Sequence, residues 1–154
     1  MRAEILQIGP LTVINDCYNA NPASMHNSLQ ILSHIDPTGN RRLVFICGDM
    51  NELGKDTELL HAELGRQIAR SNIGLLITVG PLAQLAAIRL RRTKQSAKSN
   101  IEIISYPDTV SACNSLQKFI KDTDIILVKG SRAIGLEDAV EKLKSLFGPV
   151  KSDS

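Results

Sequence analysis

The residues best equipped for chemistry fall into three short polar clusters. Asp16-Cys17-Tyr18-Asn19-Ala20-Asn21-Pro22 offers a carboxylate, a phenol and two carboxamides. Gly48-Asp49-Met50-Asn51-Glu52-Leu53-Gly54 sets two carboxylates and a carboxamide between glycines, and Lys129-Gly130-Ser131-Arg132 sets two cations and a hydroxyl around a third glycine. A carboxamide both donates and accepts whereas a carboxylate only accepts, so the first cluster suits a ligand rich in hydroxyls, amides or amines. The third suits a carboxylate or phosphate, because glycine lets backbone N–H groups approach a ligand that the cations attract. Each cluster alone also has a plainer reading. Asp and Asn dominate ordinary turns by bonding their own backbone, and loop cations are commonly just solvated.

Each cluster follows an apolar run, at 11–14, 43–47 and 125–128. Runs of this length rich in Val, Ile and Leu read as buried strands, and in an open α/β sheet ligands bind beyond the carboxyl ends of the strands. Further strands are predicted at 75–79 and 101–104, and a hairpin over 3–8 and 11–15 turns at Gly9-Pro10. Helical spacing appears at Met25, Leu29 and Leu32, with Asn21-Pro22 as N-cap and first residue, and again at Leu60, Leu64 and Ile68. A third helix is predicted from Gly80-Pro81 to about Arg92. A fourth carries Cys113, Leu116 and Ile120 behind an Asp108 cap, and a fifth buries Leu136, Val140, Leu143 and Phe147. Gly74 is expected to cap the second helix, and 93–100 to form an exposed polar loop. This alternation of strands and helices predicts an α/β fold: a single Rossmann-like three-layer domain, mainly parallel, with helices on both faces and an N-terminal hairpin. The domain is expected to span 1–150, with 151–154 as a flexible tail.

With 154 residues, 43% hydrophobic and 22% charged, the chain can bury a real core. A net charge of +2 singles out no polyanionic partner. The basic run of Arg89, Arg91, Arg92, Lys94 and Lys98 reads as a solvated helix end, not a nucleic-acid patch. Cys17, Cys47 and Cys113 are odd in number and widely spaced, which fits reduced thiols in a cytoplasmic protein rather than a disulfide framework or zinc site. No stretch approaches the roughly 18 apolar residues of a membrane span, and no signal peptide is visible. His26, His34 and His61 have neither metal-ligand spacing nor a neighbouring nucleophile, so each reads as structural or exposed. Residues 48–55 are not a phosphate loop: five residues separate the glycines instead of four, and Asp56 follows Lys55.

Taken together, the three clusters resemble the C-terminal domain of the Mur ligases. The resemblance is carried in order by Asp16 to Pro22 with Ser24-Met25, by Gly48 to Gly54 with His61 and Gly65, and by Val128-Lys129-Gly130-Ser131-Arg132 with Glu137. Members that add single amino acids, like the folylpolyglutamate synthases, read Asp-x-Ala-His-x-Pro at the first motif. Tyr18-Asn19-Ala20-Asn21 here points instead to the branch that adds a dipeptide.

The resemblance implies ATP-dependent amide synthesis, with D-alanyl-D-alanine joined to a UDP-N-acetylmuramoyl-tripeptide in peptidoglycan precursor formation. It implies that Asp16 contacts the ATP ribose and Arg2 the phosphates, with Tyr18, Asn19 and Asn21 nearby. Lys129, Ser131, Arg132 and Asp49 would then serve the incoming dipeptide. Met1 stands where the family commonly has glycine, so the chain is expected to start at the domain boundary, and Cys17 replaces a more usual serine. The family's N-terminal and central domains would be the partners in the same chain. The central one would supply the phosphate loop, the Mg2+ ligands and a carbamylated lysine, leaving this domain catalytically silent alone, and monomeric. Two other readings stay open: a same-superfamily ligase for another amino acid, and a stand-alone binding module.

Overall fold

A computed structural model of the chain describes residues 3–97 and 100–152. Seven strands, β1 (Glu4–Ile8), β2 (Leu11–Asp16), β3 (Leu43–Gly48), β4 (Leu75–Val79), β5 (Glu102–Tyr106), β6 (Ile125–Lys129) and β7 (Val150–Ser152), form one sheet in the order β5-β4-β3-β6-β2-β1-β7. The strands from β5 to β2 run parallel, while β1 pairs antiparallel with both β2 and β7. Among the described residues the α-helices are α1 (Pro22–His34), α2 (Thr57–Ala69), α3 (Ala83–Ala97), α4 (Thr109–Phe119) and α5 (Glu137–Phe147). This is the expected α/β architecture.

Alternating side chains divide the core between the two faces of the sheet. Val44 and Ile46 of β3, with Ile126 and Val128 of β6, pack with Leu116 of α4 and Leu143 of α5. Leu43, Phe45 and Cys47, with Ile125 and Leu127, face the opposite way, toward Met25 and Leu29 of α1, Leu64 and Ile68 of α2 and Leu90 of α3. Strands covered on both faces must be apolar at nearly every position, as these runs are. At the amino end of the sheet, Arg42 grips Asp124 through Nε at 3.0 Å and Nη2 at 2.7 Å. Lys121 N–H also bonds this buried carboxylate.

The structure departs from the sequence reading in three places. Helix α3 continues to Ala97, through most of the segment expected to be a loop, because a helix lying on the surface needs only one apolar stripe and its end can be polar all round. Gly74 does not cap α2, which ends at Ala69 with Arg70 as its cap. Its N–H bonds Leu43 O and its carbonyl takes Glu102 N–H, and a Cβ there would meet Arg42 Cγ at 2.9 Å. Lys151 and Ser152, expected in a tail, belong to β7, in register with Gln7 and Leu6. Residues 153–154 lie outside the described residues. No helix among the described residues is long and apolar enough to cross a membrane.

Candidate functional site

The sheet order gathers the three polar clusters. Because β6 lies between β2 and β3, Asp16 is registered against Lys129, and Lys129 against Cys47. The loops leaving these strands therefore start side by side at the carboxyl edge. Two glycines let them converge: a Cβ on Gly130 would stand 2.8 Å from Gly48 Cα, and one on Gly48 would run into Ile134 and Leu136.

Lys129 crosses this junction with its side chain 3% exposed. Its Nζ donates to Asp16 Oδ2 at 2.7 Å and to Asn19 O at 3.0 Å, and these two acceptors offset the cost of burying the ammonium. Ser28 Oγ, nearly two turns into α1, donates to the same Oδ2 at 3.1 Å. Asp16 Oδ1 has no partner among the described residues, so one acceptor remains for a ligand.

The second loop is pinned from beneath. His61 of α2 is fully buried; its Nε2 takes Met50 N–H at 3.0 Å and its Nδ1 lies 2.7 Å from Thr57 O. A backbone N–H can only donate and a carbonyl only accept, so the ring is neutral with its proton on Nδ1. Asp49 is buried as well, and its Oδ1 accepts Ala83 N–H at 2.6 Å, capping α3 from a separate loop. Burial raises the Asp49 pKa, against the pull of the Ala83 and Leu82 amides. Gly80, at φ +108, must be glycine because a Cβ there would overlap the Asp49 carboxylate. Asp49 O in turn accepts Ser131 N–H at 2.8 Å, and Asn51 Nδ2 donates to Ser131 Oγ at 2.8 Å. The second and third loops are thus stitched together.

Between them and the first loop lies a cleft of about 370 Å³ lined by Asn19, Ala20, Asn51, Glu52, Ser131, Arg132 and Ala133. Of the residues singled out in sequence, Asn19, Ser131 and Arg132 line it. Tyr18 is 37% exposed beside it, and Asp16 sits behind Asn19 on Lys129. Two residues expected to bind substrate are placed elsewhere: the Lys129 ammonium is turned onto Asp16, and the Asp49 carboxylate is committed to α3. The Asn21 side chain is likewise occupied, accepting Ser24 N–H as the N-cap of α1 while Ser24 Oγ takes Asn21 N–H. Arg2 lies outside the described residues. Asn51, Glu52 and Ser28 were not singled out. Asn51 and Glu52 carried a signal, being polar residues of a loop already marked, whereas nothing near Ser28 showed that it faces Asp16.

None of the three cysteines is a poised nucleophile. Burial, with smaller contributions from Glu137 and Asp16, pushes the Cys17 thiol up to about 12, and its Sγ rests 2.8 Å from Asn15 Oδ1. Burial also raises Cys47 and Cys113, so all three stay protonated near neutrality. Among the described residues no three His, Cys, Asp or Glu side chains gather in a group that could hold a metal.

A mainly parallel α/β sheet whose strand ends assemble a polar cleft bearing charges of both signs has its polar groups where open α/β folds commonly place ligands. The chain belongs to the Mur ligase family, for the family model described as "Mur ligase, glutamate ligase domain" matches residues 1–132. It is 32% identical over 136 residues to the UDP-N-acetylmuramoyl-tripeptide–D-alanyl-D-alanine ligase of Mycobacterium leprae, covering 82% of this chain and 26% of the relative. A crystal structure of MurF from Acinetobacter baumannii superposes with a TM-score of 0.74 at 27% identity, covering 92% of this chain and 30% of that one. MurF of Thermotoga maritima, solved in complex with ADP, shares the fold with a TM-score of 0.71 at 20% identity, covering 93% and 30%. The chain thus spans between a quarter and a third of the length of these proteins.

Proposed function

We propose that this chain is the C-terminal domain of an ATP-dependent ligase that joins D-alanyl-D-alanine to a UDP-N-acetylmuramoyl-tripeptide in the cytoplasm. In that reaction ATP phosphorylates the tripeptide carboxylate, releasing ADP. The dipeptide amine then attacks the acyl phosphate, forming the amide and expelling phosphate. The observation that carries the reading is the convergence of Asn19, Asn51, Ser131 and Arg132 on one cleft beside Asp16. The names of the relatives above agree with it.

In this reading the domain delivers contacts rather than chemistry. Asp16 Oδ1 accepts from a ribose hydroxyl while Lys129 and Ser28 hold Oδ2, and Arg2 reaches the phosphates. Tyr18 and the amide nitrogen of Asn19, whose oxygen accepts Ala20 N–H, flank the nucleotide. Ser131 and Arg132 face the dipeptide, where a guanidinium can fix a carboxylate through two parallel hydrogen bonds. The phosphate loop and Mg2+ ligands belong to the central domain and the tripeptide site to the N-terminal domain, both in the remainder of the same chain. Mg2+ held by those ligands would supply charge neutralisation for the phosphates. Domain closure completes the site, so the isolated domain is inactive.

The test is ADP release by the full-length protein supplied with tripeptide precursor and a panel of acceptors. Turnover with D-alanyl-D-alanine and not with single amino acids is expected. Preference for a single amino acid overturns the dipeptide assignment and favours a related ligase. ADP release by the 154-residue chain alone overturns the division of labour.

A further inference from the structure

We infer that Glu52 and Arg132 form a clamp for a free zwitterion, Glu52 taking the amino end of the acceptor and Arg132 its carboxylate. The inference deepens the ligase reading and rests on it for the identity of the acceptor as a dipeptide. Both residues line the same cleft and carry opposite charge, and neither side chain has an ion-pair or hydrogen-bond partner among the described residues. Glu52 is also held at φ +61, a left-handed conformation that disfavours any side chain, where glycine would fit without strain. A strained non-glycine residue at a cleft wall is the kind of position retained for what its side chain does.

The backbone beneath both charges is fixed. Asn51, next to Glu52, bonds Ser131, next to Arg132, and Met50 and Asp49 tie the same loop to His61 and to Ser131 N–H. The wall also offers Asn51 and Ser131, which can match a peptide amide. Ala20 and Ala133 are the small apolar residues of the wall and can meet methyl side chains. A phosphate or nucleotide would meet the Glu52 carboxylate, so the cleft disfavours polyanions and suits a small ligand with one charge of each sign.

The experiment is an NMR titration of the 154-residue chain, carried to high millimolar concentration, with D-alanyl-D-alanine, its N-acetyl form, its C-terminal amide and D-alanine. The amides of Asn51, Glu52, Ser131 and Arg132 are expected to shift with D-alanyl-D-alanine. Each capped form should bind about tenfold more weakly, as expected for one lost charge-assisted contact. Glu52→Gln should abolish the preference over the N-acetyl form, Glu52→Asp should restore part of it, and Arg132→Gln should abolish the preference over the amide. Equal binding of free and N-acetylated dipeptide, or no cleft shift with any of the four, overturns the clamp. Dipeptide binding indifferent to Glu52→Gln overturns the clamp but leaves the ligase reading standing. Glu52-dependent binding of D-alanine in preference to the dipeptide keeps the clamp and overturns the dipeptide reading.

Discussion

Lys129 Nζ lies 2.7 Å from Asp16 Oδ2, joining two residues registered side by side on parallel strands although 113 positions apart in the chain. The pair sets the direction of the first loop, because the same ammonium also holds Asn19 O.

Lys129→Met should therefore affect both stability and nucleotide use. Removing one member of a buried pair leaves the other uncompensated, and a loss of about 3 kcal/mol in urea unfolding is expected. In the full-length protein the KM for ATP should rise, because Asp16 is no longer held. An unchanged KM for ATP would mean that the pair serves only the fold.

Asp49 links a helix cap to the cleft. Asp49→Ala should cost about 1–2 kcal/mol, the range for losing an N-cap acceptor, with Asp49→Asn milder because an amide oxygen still accepts Ala83 N–H. Gly80→Ala should be at least as damaging as Asp49→Ala, since it adds a strained φ to a clash with the same carboxylate. Chemical denaturation of the three variants checks the order.

The buried ring of His61 is expected to give the nitrogen couplings of an Nδ1–H tautomer in NMR. His61→Leu should cost about 2 kcal/mol, leaving Met50 N–H and Thr57 O without their partner. It should also broaden the amide signals of 50–54. An Nε2–H tautomer would contradict the pinning of that loop.

Acid stability should follow two surface carboxylates. The Thr38 hydroxyl and Arg41 N–H hold Asp36 below its ordinary 3.8, and Ser111 N–H does the same for Asp108. A carboxylate depressed in the folded state stabilises fully above 3.8 and loses that contribution as pH falls below it. Asp49 has the opposite sign: burial raises it, so taking up a proton relieves a cost of folding. Asp36→Asn with Asp108→Asn should flatten the decline in melting temperature below pH 4. An equally steep decline would assign acid loss to other groups.

Much of this molecule was legible in the sequence, for reasons that also explain what was not. Strands such as β4, expected and found at Leu75–Val79, reveal themselves because burial on both faces demands an unbroken apolar run. The Asn21 and Asp108 caps follow from local bonding to residues three positions on. Sheet order is different: nothing local in 125–129 says that β6 slides between β2 and β3, yet that placement alone brings Asp16 to Lys129. Asp49 looked like a ligand-binding carboxylate because its partner, the start of α3, is 34 residues away. Glu52 was noted only as one carboxylate of its loop, because a left-handed backbone angle leaves no trace in residue type unless the residue is glycine.

The most direct test of the acceptor cleft is the KM for D-alanyl-D-alanine of the full-length protein carrying Arg132→Gln. A rise of about tenfold, the loss of one charge-assisted contact, is expected with the KM for ATP unchanged. An unchanged dipeptide KM would contradict the cleft at the ends of β2, β3 and β6 as the place where the acceptor binds.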